Sequence, residues 1–218
     1  MVNVIWDMGG TLIDTYPEVD RALAAAVWGT APTAQQLRHV QALRTVSIAH
    51  AIDALSAEYA VPPQTLQQAY RDLKARWQTH PAPLMPCARD LLTAVSASGG
   101  LNLVATHRDR ASATALLDAL GIRVDDLVCA PDGLARKPDP AMNLMLLSRH
   151  HLAPRDVVCI GDRAIDMQAA AAAGLRGILL DQDAAANGAR APKHERVQTH
   201  QTRVDVVASL CEALALLD

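Results

Sequence analysis

Asn3-Val4-Ile5-Trp6-Asp7-Met8-Gly9-Gly10-Thr11-Leu12-Ile13-Asp14 is the stretch that decides how the rest of the chain reads. Its first five residues form a short apolar run that ends in an acid and meets two glycines, the pattern of a buried strand stopping at a turn. Similar runs follow at Leu101–Thr106 (LNLVAT), Leu127–Ala130 (LVCA), Val157–Gly161 (VVCIG) and Arg176–Leu180 (RGILL). Helical patterns separate them at Asp109–Leu120, Pro140–His151 and Ala164–Ala173. Nearly continuous apolar strands alternating with amphipathic helices predict an α/β fold with a Rossmann-like parallel sheet covered on both faces.

Between the first strand and Leu101 that pattern breaks, because residues 18–80 show only helical periodicity, at Glu18–Trp28, Ala34–Thr45, Ile48–Tyr59 and Gln64–Thr79. Thr33 and Ser47 are placed to cap the second and third of these, and Pro62-Pro63 precedes the fourth. The proline-rich His80–Pro86 (HPAPLMP) reads as a stiff return linker. The expected organisation is therefore a core domain of residues 1–14 and 82–218 interrupted by an all-helical domain of residues 15–81. The polar stretch Asp183–Thr202 reads as a mobile loop, and Val204–Leu217 as a last helix.

Composition narrows the function classes. Half of the 218 residues are hydrophobic, 20% are charged, and mean hydropathy is +0.08, which fits a globular chain with a sizeable core. Twenty Lys plus Arg against 23 Asp plus Glu give a net charge of −3 and a pI near 6.2. That balance carries no electrostatic footprint for nucleic acid or an anionic membrane surface. No apolar run approaches the ~18 residues of a membrane span, and the N-terminus lacks the pattern of a secretory leader, so a cytoplasmic protein is expected. The cysteines Cys87, Cys129, Cys159 and Cys211 are scattered among apolar neighbours without a C-x-x-C pair, the pattern of buried free thiols. With no Phe, three Trp and three Tyr, the core falls to Ala, Leu and Val. Oligomeric state leaves no mark on the sequence.

Ligands of open α/β sheets bind outside the carboxyl ends of the strands. The residues standing there are Asp7, Thr106, Lys137 in the loop 131–137, Asp162 and Asp166. Several carboxylates, a hydroxyl and a lysine at one sheet edge suit a hard cation together with a phosphate-sized anion. Gly9 and Gly10 after Asp7 also offer backbone N–H groups to an anion.

These residues resemble a known family. Asp7-Met8-Gly9-Gly10-Thr11-Leu12-Ile13-Asp14 is similar to the first motif of the haloacid dehalogenase-like (HAD) superfamily, whose phosphatases usually read D-x-D-G-T-L-x-D. Thr106 in LVATHRD resembles the second motif, Lys137 in ARKPDP the third, and Gly161-Asp162-Arg163-Ala164-Ile165-Asp166 the fourth, G-D-x-x-x-D. The helical insert matches the position of that family's C1-type cap. The resemblance implies a Mg²⁺-dependent phosphatase acting on a small phosphorylated metabolite through an aspartyl-phosphate intermediate. Asp7 would be the nucleophile. Asp7, the Gly9 carbonyl, Asp162 and Asp166 would hold the metal, with Asp166 binding directly or through water. Lys137 would neutralise charge, while Thr106, His107, Gly10 and Gly9 would line the phosphoryl group. Thr11 and Asp14 would shape the turn and hinge.

The sequence departs from the phosphatase pattern at Gly9, where the family carries an Asp that serves as general acid and base. Loss of such a group removes on the order of 10² to 10⁴ in rate. Its work could pass to His107 or to His50 in the insert, or be unnecessary for an acyl or aryl leaving group. A second reading is cleavage of a C–P or C–halogen bond. The single insert lysine, Lys74, has ordinary surface spacing, and the retained Asp162 and Asp166 favour phosphoryl chemistry. A third reading is a catalytically weak domain that binds a phospho-ligand or a partner. Arg38, His39, Arg44, Ser47 and His50 of the insert are further candidates for substrate contact, although Arg44 and Ser47, near a helix junction, are more often a solvated charge and an N-cap.

Overall fold

The computed structural model describes residues 2–181 and 202–217. The chain divides into two compact units, Met1–Asp14 with Pro83–Asp218, and Thr15–Ala82.

The first unit is built on a six-stranded sheet of β1 (Asn3–Trp6), β2 (Asn102–Thr106), β3 (Asp126–Cys129), β4 (Val157–Gly161), β5 (Arg176–Leu180) and β6 (Val204–Val207). The spatial order is β3-β2-β1-β4-β5-β6 and every pairing is parallel. The expected α/β fold with a Rossmann-like parallel sheet is thus present. Among the described residues the α-helices of this unit are α5 (Ala88–Ala97), α6 (Arg110–Ala119), α7 (Ala141–Arg149), α8 (Ala164–Ala172) and α9 (Leu210–Leu214). Strands β1, β2 and β4 are buried at every position, which is why they read as unbroken apolar runs. One core cluster gathers Ile5, Leu103 and Val128 from the sheet with Met142 and Leu146 of α7 and Ala170 of α8.

The second unit holds α1 (Tyr16–Trp28), α2 (Ala34–Val46), α3 (Ile48–Tyr59) and α4 (Pro63–Arg76). Thr33 and Gln36 close a capping box on α2, and the Ser47 hydroxyl accepts from the His50 N–H to cap α3. Helix α1 packs against α2 and α4, and α2 against α3. Val19, Leu23, Leu55, Leu66 and Trp77 form its interior.

Four expectations are corrected. Helix α5 was missed although Ala88, Leu91, Leu92 and Val95 form a buried stripe of helical period, because the preceding prolines mask its start. Val204–Leu217 is not one helix. The β-branched Val204, Val206 and Val207 pair with β5, and a short helix starts only after the Ser209 cap. Cys87 and Cys211 are not buried thiols; they form a disulfide across 124 residues of sequence, and only Cys129 and Cys159 are free and buried. Arg44 is not a solvated charge but a largely buried ion-pair partner of Asp20. The stretch 183–202 read as a loop lies, except for Thr202, outside the described residues. Among the described residues no helix is long and apolar enough to cross a membrane.

Candidate active site

The chain runs from β1 outward through β2 to β3, then returns to β4 on the other side of β1. Ligands of such sheets bind at the carboxyl ends of the two strands flanking that reversal. Asp7 stands there. Its N–H donates to the Ile160 carbonyl at 2.8 Å, extending the β1–β4 ladder one residue past Trp6 and fixing where the Asp7 side chain starts. Beyond it the backbone turns tightly. Leu12 and Ile13 N–H groups donate to the Met8 carbonyl, and Gly10, at φ +92°, donates to the Ile13 carbonyl. This fold-back buries Thr11 and turns its hydroxyl toward β4, where it donates to Asp162 Oδ1 at 3.0 Å.

The Lys137 ammonium lies between two carboxylates, with Nζ 2.7 Å from Asp7 Oδ1 and 2.7 Å from Asp166 Oδ1. The three side chains are 1%, 6% and 0% exposed. Burial alone would drive the lysine toward neutrality, but the Asp7 and Asp166 carboxylates outweigh it and hold Lys137 protonated above its ordinary range. Burial pushes the Asp166 carboxyl upward, opposed by the Lys137 ammonium. The other Asp166 oxygen, Oδ2, accepts from the Arg163 N–H at 3.0 Å, so the same carboxylate also caps α8. Gly161 makes this possible, because a Cβ there would lie 2.4 Å from Asp166 Cβ. Only glycine lets the carboxylate tuck against the end of β4.

Thr106 ends β2 and is buried, and its hydroxyl oxygen accepts from the Arg108 N–H at 3.2 Å. The next residue, His107, accepts the Lys137 backbone N–H on Nε2 at 2.8 Å. Burial, followed by the cations Lys137, Arg136 and Arg163, lowers the His107 imidazole to about 4, against a weaker opposing pull from Asp166. It is neutral near pH 7, with one nitrogen committed, and poorly suited to replace the acid missing at position 9. Gly9 is half-buried in the turn and forms a bridge with Ile13. His50 belongs to the helical unit and is exposed.

Asp7, Lys137 and Asp166 are thus in direct contact, Asp162 is held by Thr11, and Thr106 and His107 stand at the end of the neighbouring strand β2. Among the described residues no group of three or more His, Cys, Asp or Glu is gathered as a metal cluster. Asp166 in particular has one oxygen on Lys137 and the other on Arg163. The expected ligands do share hard oxygen donors, the donor type that suits a divalent cation. Thr11 and Gly161 were not recognised from sequence as supports of the site. Their partners lie 151 residues away and five residues along, and no local pattern distinguishes a turn threonine from one aimed at a carboxylate.

A parallel sheet of this order, with charged groups at its reversal point, is the layout in which open α/β sheets bind their ligands. The chain belongs to the haloacid dehalogenase-like hydrolase family, whose model matches residues 1–174. It is 31% identical over 182 residues to the N-acetylmuramic acid 6-phosphate phosphatase of Pseudomonas aeruginosa, covering 79% of this chain and 78% of that one. It is 30% identical over 186 residues to a phosphoglycolate phosphatase of Pseudomonas putida, covering 79% and 66% of the two chains. A HAD-superfamily hydrolase of subfamily IA from Geobacter sulfurreducens shares the fold, with a TM-score of 0.67 at 19% identity over 100% of this chain and 97% of the other. The protein is a HAD-like hydrolase with phosphatase relatives.

Proposed function

We propose that the protein is a Mg²⁺-dependent phosphatase of the C1-capped subgroup, with a D-x-G-G-T first motif, acting on a small phosphorylated metabolite through an aspartyl phosphate on Asp7. The observation that carries this reading is the Lys137 ammonium shared between Asp7 and Asp166 at the strand ends. A lysine so placed lowers the charge of the attacking carboxylate and of the phosphoryl group it meets, the main requirement of phosphoryl transfer.

In the first step an Asp7 carboxylate oxygen forms a bond to phosphorus while the bond from phosphorus to the leaving oxygen breaks. In the second, water attacks phosphorus, the Asp7 carboxylate departs, and inorganic phosphate is released. Asp7, the Gly9 carbonyl and Asp162 are the residues that would hold Mg²⁺, whose charge offsets that of a phosphate dianion. With both of its oxygens engaged, Asp166 acts on Lys137 rather than as a direct ligand. Thr106 and the Gly9 N–H bind phosphoryl oxygens, the expected Gly10 N–H being already spent on the Ile13 carbonyl, and Thr11 orients Asp162.

Gly9 has no proton to give, and His107 is neutral with Nε2 already occupied. The leaving group must then depart as an anion stable by itself, which favours acyl and aryl phosphates over alkyl ones. The test is phosphate release from acyl, aryl, sugar and nucleotide phosphates, with and without Mg²⁺, using Asp7→Asn as control. Release that needs both Mg²⁺ and Asp7, and is fastest with acyl or aryl substrates, is expected. Release undiminished in Asp7→Asn would overturn the proposal.

A further inference from the structure

The Lys137 side chain does its work only if its backbone is held, and Lys137 belongs to a connecting segment between β3 and α7, not to a strand or helix. The backbone hydrogen bond it makes comes from outside that segment. Its N–H donates to Nε2 of His107, which directly follows the last residue of β2. Strand β2 in turn pairs with β1, whose end carries Asp7. A continuous path therefore runs from the sheet through the imidazole to the Lys137 main chain, then through Nζ back to Asp7 and Asp166.

An imidazole nitrogen that accepts a hydrogen bond carries no proton, so the ring must place its proton on Nδ1. An imidazolium would turn a second N–H against the Lys137 N–H and break the contact. We propose that His107 is a positioning residue: held in the Nδ1–H form, it anchors the Lys137 backbone so that the ammonium is delivered between Asp7 and Asp166. The charged groups acting on the ring are Lys137, Arg136 and Arg163, which oppose its protonation together with burial, and Asp166, which favours it weakly. The assignment differs from a proton-transfer role, which would need a nitrogen free to exchange protons near neutral pH. Its catalytic consequence rests on the phosphatase reading above; its structural content does not.

The test has two arms on the full chain. In the first, ¹⁵N NMR of histidine-labelled protein identifies His107 by the signals lost in His107→Gln. An unprotonated Nε2, a protonated Nδ1 and no titration between pH 7.5 and 5.5 are expected. An Nε2–H tautomer, or titration near 6.5, would overturn the proposal. The same arm follows hydrogen exchange of the Lys137 amide, which should be slowed in the native protein and in His107→Gln, whose amide oxygen can still accept, and fast in His107→Leu. Equal exchange in all three would also overturn it. In the second arm, kcat for phosphate release should fall by roughly 10²-fold in His107→Leu with KM little changed, and His107→Gln should recover most of the loss. Equal kcat in the Leu and Gln variants would refute positioning. Absence of activity in the native protein would count against the phosphatase reading alone, with the first arm still deciding the role of His107.

Discussion

Each unit of the molecule buries a cation against carboxylate, and the two do it differently. In the helical unit Arg44 of α2 meets Asp20 of α1 fork to fork, Nε to Oδ1 at 2.6 Å and a terminal nitrogen to Oδ2 at 3.0 Å, with the side chains 10% and 11% exposed. The guanidinium also lies 3.9 Å from the centre of the Tyr16 ring. One cation answers one carboxylate, both oxygens are used, and the pair fastens two helices together. In the α/β unit one ammonium answers two carboxylates, with a third, Asp162, close by in sequence. Balanced charge of the first kind is architecture. Sharing of the second kind, with Arg163 also acting on Asp166, perturbs protonation as sites of chemistry do, and it is there that the phosphatase proposal rests.

The contrast can be broken most severely at Asp7. Asp7→Asn should lower phosphate release by at least roughly 10⁴-fold, the scale seen when an enzyme nucleophile is removed, while circular dichroism shows the fold retained. Retained turnover would make Asp7 one more structural acid. Next comes Lys137→Met, which strips Asp7 and Asp166 of their shared cation; urea unfolding should show a loss of about 3–5 kcal/mol. An unchanged midpoint would mean that the ammonium does not hold the carboxylates together.

The balanced pair should respond in its own way. Arg44→Met should cost about 3 kcal/mol by leaving Asp20 buried and alone, and adding Asp20→Leu should recover most of that loss. A double variant as unstable as the single one would erase the distinction between the two sites. The smallest effect is a pH dependence. His107 has its folded-state value near 4 against an ordinary 6.5, so the unfolded chain takes up the proton first as pH falls. Its contribution is neutral above about 6.5 and becomes increasingly destabilising down to about 4. Native protein should therefore lose stability over this window faster than His107→Gln, as read from urea midpoints at a series of pH values.

Much of this was legible in the residues. Five of the six strands were visible because buried parallel strands are apolar throughout, and the candidate side chains follow from the rule that ligands meet strand ends. Lys137 and Asp166 could be placed at that edge, but not their shared contact, since it depends on a side chain reaching between strands. The sixth strand was hidden because Val204–Val207 is short and runs straight into a helix. Arg44 resembled any solvated helix charge until Asp20, 24 residues earlier, was placed opposite it. Cys87 and Cys211 carried no pairing signal, since each lies beside ordinary helix residues far from the other in sequence. His107 drew attention as a proton carrier, whereas its structural bond goes to a main-chain N–H 30 residues away, a donor every residue but proline possesses. Long-range polar contacts of this kind leave no trace in local pattern.

The Cys87–Cys211 disulfide closes the chain into a covalent ring that contains β2 through β6 and excludes β1. In the sheet, however, β1 lies between β2 and β4, so the strand outside the ring is the one that joins its two halves. Withdrawing it would divide the sheet into β3-β2 and β4-β5-β6 and carry Asp7 away in the same motion, while the ring itself stayed closed. Integrity of the sheet and possession of the reactive carboxylate are therefore a single event: a molecule opened at this seam has no Asp7 at its strand ends, and one with Asp7 in place has its sheet complete.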